Sequence, residues 1–328
     1  MLRMGLIRQL VDGVGRTIAP AHLLHWMQYA GLRVVNTVLH MFPVEWNLRT
    51  ARILGRIWPV VMPRHYRRAK DHLRLAYGGT LSQAEVDRIA LRSMQHLAMM
   101  AVEMAFAPRL IDEWTWPKYV RPVGIEEALQ VLLRGKGALL LTAHFGSWEL
   151  AGYLLATYGF DIVAIMRPLD NDYLNRFVVR TRQRRGLRLI NKKGATAQAE
   201  EIIRGGAALG FIADQNAGSK GMFVDFFGVQ ASAYKSIGLL AMAMEVPILV
   251  GYARRVGDRF FYEVGVQRII HPHEWQDQAD PLRWITQEYT TAIETFVRKW
   301  PEQYLWIHRR WKSRPKAERL AVAVAAAG

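Results

Sequence analysis

The chain has 328 residues, 51% of them hydrophobic, which is enough for a sizeable core arranged as one large or two small domains. It has no Cys, which excludes disulfides and Cys-ligated zinc, and its 44 Lys and Arg against 28 Asp and Glu give a net charge of +16. That excess calls for an anionic partner such as nucleic acid, a lipid headgroup surface or an acidic carrier protein.

The segment HLLHWMQYAGLRVVNTVLHMFP (22–43) is apolar and aromatic, but Arg33 and Asn36 interrupt it, so it offers no unbroken 20-residue membrane span. A monotopic helix with Trp26, Tyr29, Met41 and Phe42 at an interface fits, and an ordinary buried helix fits nearly as well. The apolar stretch starts late and lacks a small-residue cleavage site, so no signal peptide is expected. Residues 1–115 read as a helical region, with 84–106 a long amphipathic helix expected to end at Pro108.

Residues 116–315 read as an α/β domain. Strands are expected at 138–143, 161–166, 187–190, 207–213, 246–253 and 260–267, alternating with helices near 147, 172, 195, 235 and 283. The fold class is therefore α/β, a mixed central sheet flanked by helices on both faces, with an amino-terminal helical membrane-associating region. Residues 316–328, ending AVAVAAAG, read as a disordered or loosely docked tail.

Basic residues concentrate in RHYRRAKDHLR (64–74), RTRQRRGLR (180–188) and HRRWKSRPK (308–316). Some belong to solvated helix faces. Others fit an anionic membrane, worth about 1 kcal/mol per basic residue near the surface. No nucleic-acid fold signature accompanies them, so nucleic acid is not an expected partner. The pairs His22/His25 and His271/His273 read as structural or surface groups, and no metal site is expected.

The chemistry concentrates in LLLTAHFGSWELAG (139–152). An apolar strand leads into His144, Gly146 and Ser147 supply a bend and a possible N-cap, and Glu149 falls in the first turn of the following helix. A carboxylate holding one imidazole nitrogen leaves the other free to take a proton from an alcohol. Ser147 lies in no nucleophile-elbow sequence, so direct attack by an acceptor is expected rather than a covalent enzyme intermediate. A buried His bonded to nearby backbone is the bland alternative, but the carboxyl edge of an open α/β sheet is where such folds bind ligands.

With these residues in place, the chain from about 45 to 315 resembles the bacterial lipid A late acyltransferases, within the wider lysophospholipid acyltransferase group sharing a His-x4-Asp/Glu motif. The matching blocks are the His144–Glu149 segment, IMRPLDNDYLNRFVVRTRQRRGLRLI (165–190), INKKGATAQAEEIIRGGAALGFIADQ (190–215), GMFVDFFG (221–228) and WIHRRWKSRP (306–315).

The resemblance implies that His144 is the general base and Glu149 its orienting acid. It further implies that Arg167 binds or polarises a thioester or an acidic acceptor group, and that Asp214 and Gln215 line the same cleft. Arg182, Asn191 and Lys235 are further substrate-binding candidates. Two departures concern acceptor and chain-length choice: Asp71, His72 and Leu73 stand where relatives commonly show Asn-Leu, and Lys235 and Ser236 where Thr and Gly are more usual.

The expected function is transfer of a fatty acyl chain from an acyl-carrier-protein or acyl-coenzyme A thioester to a hydroxyl of a membrane glycolipid such as a lipid A precursor. It needs no cofactor, and it places the protein on the cytoplasmic face of a bacterial inner membrane with a monotopic or single anchor. Another lipid acceptor, or a non-enzymatic polyanion-binding protein, remains the alternative at this stage.

Overall fold

The computed structural model describes residues 20–192 and 194–316, so the expected tail lies almost wholly outside the described residues. The described chain opens with five helices: α1 (Pro20–His40), α2 (Val44–Gly55), α3 (Trp58–Val61), α4 (Pro63–Tyr77) and α5 (Gln83–Leu110). Buried Asn47 fixes the α1–α2 elbow, donating from Nδ2 to Leu39 O at 2.8 Å and to Phe42 O and Pro43 O at 3.2 Å, and so satisfies carbonyls at the end of α1. A capping box starts α5, in which Ser82 N donates to the Glu85 carboxylate at 2.8 Å and Glu85 N donates to Ser82 Oγ at 3.3 Å.

The long helix does not stop at Pro108, as the sequence suggested. It runs on to Leu110 and closes with Ile111 N donating to Ala107 O at 2.9 Å. The proline sits in the last turn, where its missing N–H and bulky ring disturb little of the hydrogen-bond ladder.

A seven-stranded sheet follows, built from β1 (Val120–Val123), β2 (Ala138–Thr142), β3 (Ile162–Met166), β4 (Arg188–Asn191), β5 (Ala208–Ile212), β8 (Ile248–Arg255) and β9 (Tyr262–Ile270). The order is β1-β9-β8-β2-β5-β3-β4, with every neighbouring pair parallel except β8 with β9. All six expected strands are present. Two features were not expected: β1, four residues carrying Arg121 and Pro122, and the hairpin of β6 (Met222–Phe226) with β7 (Val229–Ala233).

Side chains alternate across the sheet as a pleat requires. Leu139, Leu141, Leu209 and Val250 face a core shared with α5, α9 (Ala195–Arg204), α10 (Lys235–Met244) and α12 (Pro281–Lys299). Ala138, Ala208 and Leu249 face the other way, against α6 (Glu126–Leu133) and α7 (Trp148–Thr157). Helices thus cover both faces, as expected for this fold class. A helix α8 (Asp172–Gln183), N-capped by Asn171, and a short α11 (Pro272–Gln276) complete the set.

Among the described residues no helix is long and apolar enough to cross a membrane. Helix α1 lies on α8, with Tyr29 against Tyr173 at 6.0 Å and Asn171 Nδ2 donating to His25 O at 3.0 Å. Its remaining surface and that of α2 and α3 expose large apolar groups, among them Leu24, Trp26, Val34, Trp46, Ile53 and Val60.

Candidate active site

Strand register builds the site. Strands β2 and β5 are neighbours with Thr142 opposite Ile212, and Ala213 N donates to Thr142 O at 2.8 Å. Two residues beyond that last pair stand His144 on one chain segment and Asp214 on the other. Their side chains meet, with His144 Nδ1 2.7 Å from Asp214 Oδ1. An ionised carboxylate can only accept, so Nδ1 carries the hydrogen and Nε2 keeps its lone pair.

Burial alone would raise the Asp214 carboxyl. The positive charge His144 carries when protonated and its hydrogen bond, with a smaller contribution from protonated His308, outweigh that and hold it at about 2. The carboxylate is therefore ionised at neutral pH.

The turn that aims His144 is braced on three sides. Gly146 has φ +55°, and a Cβ there would lie 2.0 Å from Ala253 O. Gly146 N donates to Gln303 O at 3.0 Å, Leu305 N to His144 O at 3.0 Å and Ser147 N to Ala253 O at 2.7 Å. From the third side His96 Nε2 donates to Gly146 O at 3.1 Å, while its Nδ1 accepts from Arg255 Nη2 at 2.8 Å. Arg255 in turn pairs with buried Glu103. Burial, and then the Arg255 charge, push His96 well below its ordinary range, which keeps the ring neutral and its Nδ1 able to accept.

Around the free nitrogen stand Gln215, which the sequence reading singled out, and His308 and Trp148, which it did not. The His308 ring lies 4.3 Å from that of His144, and Gln215 Nε2 sits between them, 3.4 Å from His144 Nε2 and 3.5 Å from His308 Nδ1. Burial, then the neighbouring His144 charge, lower His308 to about 4, so it is a neutral acceptor. Trp148 stands edge-on to His144 with ring centroids 5.1 Å apart. Buried Arg310 donates from Nη1 to Gln215 O at 3.1 Å and Ser232 O at 2.6 Å, fixing the Gln215 backbone. His308 and Arg310 both lie in the block WIHRRWKSRP, where a charge count hides the difference between a buried brace and a surface patch.

Several expectations need correction. Glu149 does not orient His144; its carboxylate pairs with Arg182, because from the start of α7 it points toward α8, while strand register delivers Asp214 to the imidazole. Ser147 makes no side-chain cap to α7. Arg167 is exposed at the cleft mouth and lies 3.8 Å from Asp170. Asn191 and Lys235 do not line the cleft. Their neighbours Lys192, Tyr234 and Ser236 do, with the Lys192 ammonium 5.9 Å from the Tyr234 ring centroid.

The cleft itself measures about 1050 Å³. From the mouth, where His144, Arg182, Lys192 and Gln215 stand, it runs along the sheet face beneath α6 and α7, past Leu140, Leu155 and Leu189. Glycines open that face: a Cβ on Gly152 would meet nothing closer than Leu187 at 3.8 Å. The mouth is thus polar and cationic and the depth apolar, which suits a ligand with a long hydrocarbon chain and an anionic or activated head.

The sequence model of the family described as bacterial lipid A biosynthesis acyltransferase matches residues 15–313. Among similar proteins of Escherichia coli (strain K12) is a lipid A biosynthesis lauroyltransferase, 24% identical over 90% of this chain and 94% of its own length. A lipid A biosynthesis palmitoleoyltransferase is 26% identical over the same shares. A lipid A biosynthesis myristoyltransferase is 24% identical over 90% of each chain. With the match spanning sheet, cleft and His144 alike, the chain belongs to the bacterial lipid A biosynthesis acyltransferase family and is an O-acyltransferase.

Proposed function

We propose that the chain moves a fatty acyl group from a thioester, on acyl-carrier protein or coenzyme A, to a hydroxyl of a membrane glycolipid that is a lipid A precursor. His144 acts as general base. The observation that carries this reading is the His144–Asp214 contact of 2.7 Å at the mouth of an apolar cleft.

In this mechanism the acceptor hydroxyl approaches His144 Nε2. As its oxygen bonds to the thioester carbonyl carbon, its proton passes to Nε2 and the carbonyl oxygen becomes an oxyanion. The Gln215 amide, within 3.4 Å of Nε2, stands where it can donate to that oxyanion. Collapse restores the carbonyl and breaks the C–S bond, and the departing thiolate takes the proton from Nε2. Asp214 remains ionised throughout and stabilises the transient imidazolium.

Arg167, Arg182 and Lys192 at the mouth suit phosphate or carboxylate groups of donor or acceptor, and the apolar depth suits the acyl chain. The exposed apolar groups of α1 to α3 support a monotopic seat on the cytoplasmic face of the inner membrane.

The test is product analysis by mass spectrometry after purified protein meets an acyl-carrier-protein thioester and a panel of glycolipids and lysophospholipids. Acylated glycolipid is expected, with a KM for the carrier donor that rises with salt. A product on lysophospholipid alone would transfer the reading to another acceptor. His144→Ala should fold and lose turnover; full activity in that variant would end the proposal.

A further inference from the structure

A second cavity, about 510 Å³, lies beyond the carboxyl end of β8, between α5 and the turn at 301–303. It shares no lining residue with the acyl cleft. Five arginines reach it from three elements: Arg52 of α2, Arg88 and Arg92 of α5, and Arg254 and Arg255 of β8, facing the two acids Asp258 and Glu302. Arg52 pairs with Asp258, and Arg92 Nη1 is 3.9 Å from the same carboxylate. Arg254 pairs with Glu263 and lies over the Trp300 ring at 4.4 Å, and Arg255 pairs with Glu103. Arg52, Arg254 and Arg255 are each held by an acid, whereas Arg92 only reaches an Asp258 that Arg52 already engages, so an oxyanion that accepts from Arg88 and Arg92 would complete the set.

The surroundings point to the source of that anion. On α2 and the turn that follows it, Arg49, Arg52 and Arg56 share one flank by their spacing of three and four, beside a face that exposes Trp46, Ile53 and Ile57. The cavity therefore opens at the border of an apolar ridge, as a membrane headgroup site should. Its floor includes His96 and Gln303, the two residues that hold Gly146 from behind.

We propose that this cavity binds the phosphate headgroup of an anionic membrane phospholipid that is not the acyl acceptor, and that its occupancy steadies the turn aiming His144. The kinetic arm of the test rests on the acyl-transfer reading. The binding arm does not, so the two can fail separately.

For binding, the full chain in neutral detergent is titrated with short-chain phosphatidylglycerol, short-chain phosphatidylcholine and glycerol 3-phosphate, and its melting temperature is followed. A saturable rise with phosphatidylglycerol alone is expected. Arg88→Ala/Arg92→Ala should weaken it roughly tenfold or more through lost charge-assisted contacts, whereas Arg49→Ala/Arg56→Ala, with the same charge change outside the cavity, should leave it in place. The single variants Arg88→Gln and Arg92→Gln serve if the double variant does not fold.

Equal potency of glycerol 3-phosphate would show a soluble anion site and overturn the lipid assignment. An undiminished response in the Arg88/Arg92 variants would overturn the site. For kinetics, phosphatidylglycerol should raise kcat. If it instead raises only the KM for the acceptor, the cavity belongs to the acceptor and the proposal fails.

Discussion

Asp214 and Glu149 have different duties although both are acids near the same imidazole. Asp214 holds the tautomer, so Asp214→Asn, whose amide can donate to Nδ1 and favour the wrong tautomer, should lower kcat by about a hundredfold or more with little change in KM. Glu149→Gln releases Arg182 at the cleft mouth and should change KM more than kcat. Steady-state kinetics on both variants separate these outcomes, and a larger kcat loss in Glu149→Gln would reverse the assignment. His144 was legible because a strand, a glycine turn and a helix flank it. Its partner was not, because the pairing depends on β2 lying beside β5, which no local pattern states. Arg310 was misread for a related reason, since charge says nothing of burial and this guanidinium serves backbone carbonyls.

At the scale of elements, the β2–α7 turn and the face of α7 carry the site. Gly146→Ala combines a left-handed φ with a Cβ 2.0 Å from Ala253 O, and should destabilise by more than about 2 kcal/mol in denaturant unfolding. Gly152 is the opposite case. Gly152→Ala has room and should stabilise α7 by up to about 1 kcal/mol, whereas Gly152→Leu intrudes into the cleft and should shift donor preference toward shorter acyl chains in competition assays. Six of the seven strands of the sheet were legible from their runs and breakers. Strand β1 was not, because Arg121 and Pro122 spoil its apolar pattern and its place comes from pairing with β9.

Across the whole molecule, buried neutral histidines make stability depend on pH. His308 is held at about 4 by burial and the His144 charge, while His96 and His72 are lowered chiefly by burial. On unfolding each regains an ordinary value near 6.5 and takes up a proton, so between about pH 4 and 6.5 the unfolded chain binds more protons. Stability from these groups is full above that window and is lost as pH falls through it, His308 alone contributing up to about 3 kcal/mol. Asp214, held at about 2, loses its own contribution below about pH 4. Melting temperature should therefore fall from pH 6.5 to 4, with a shallower slope in His308→Asn; an unchanged slope would remove His308 from this account. The net charge read from composition is similarly redistributed by the fold, since Arg255 is held in a buried ion pair and Arg185 in a half-buried one.

The bond from Leu305 N to His144 O joins segments made far apart in time on the ribosome. A nascent chain that already displays the imidazole and its acid still lacks the strap that locks their turn, and gains it only after more than a quarter of the protein more has emerged. On the proposed mechanism, a chain that has not yet reached Leu305 holds its base in an unlocked turn.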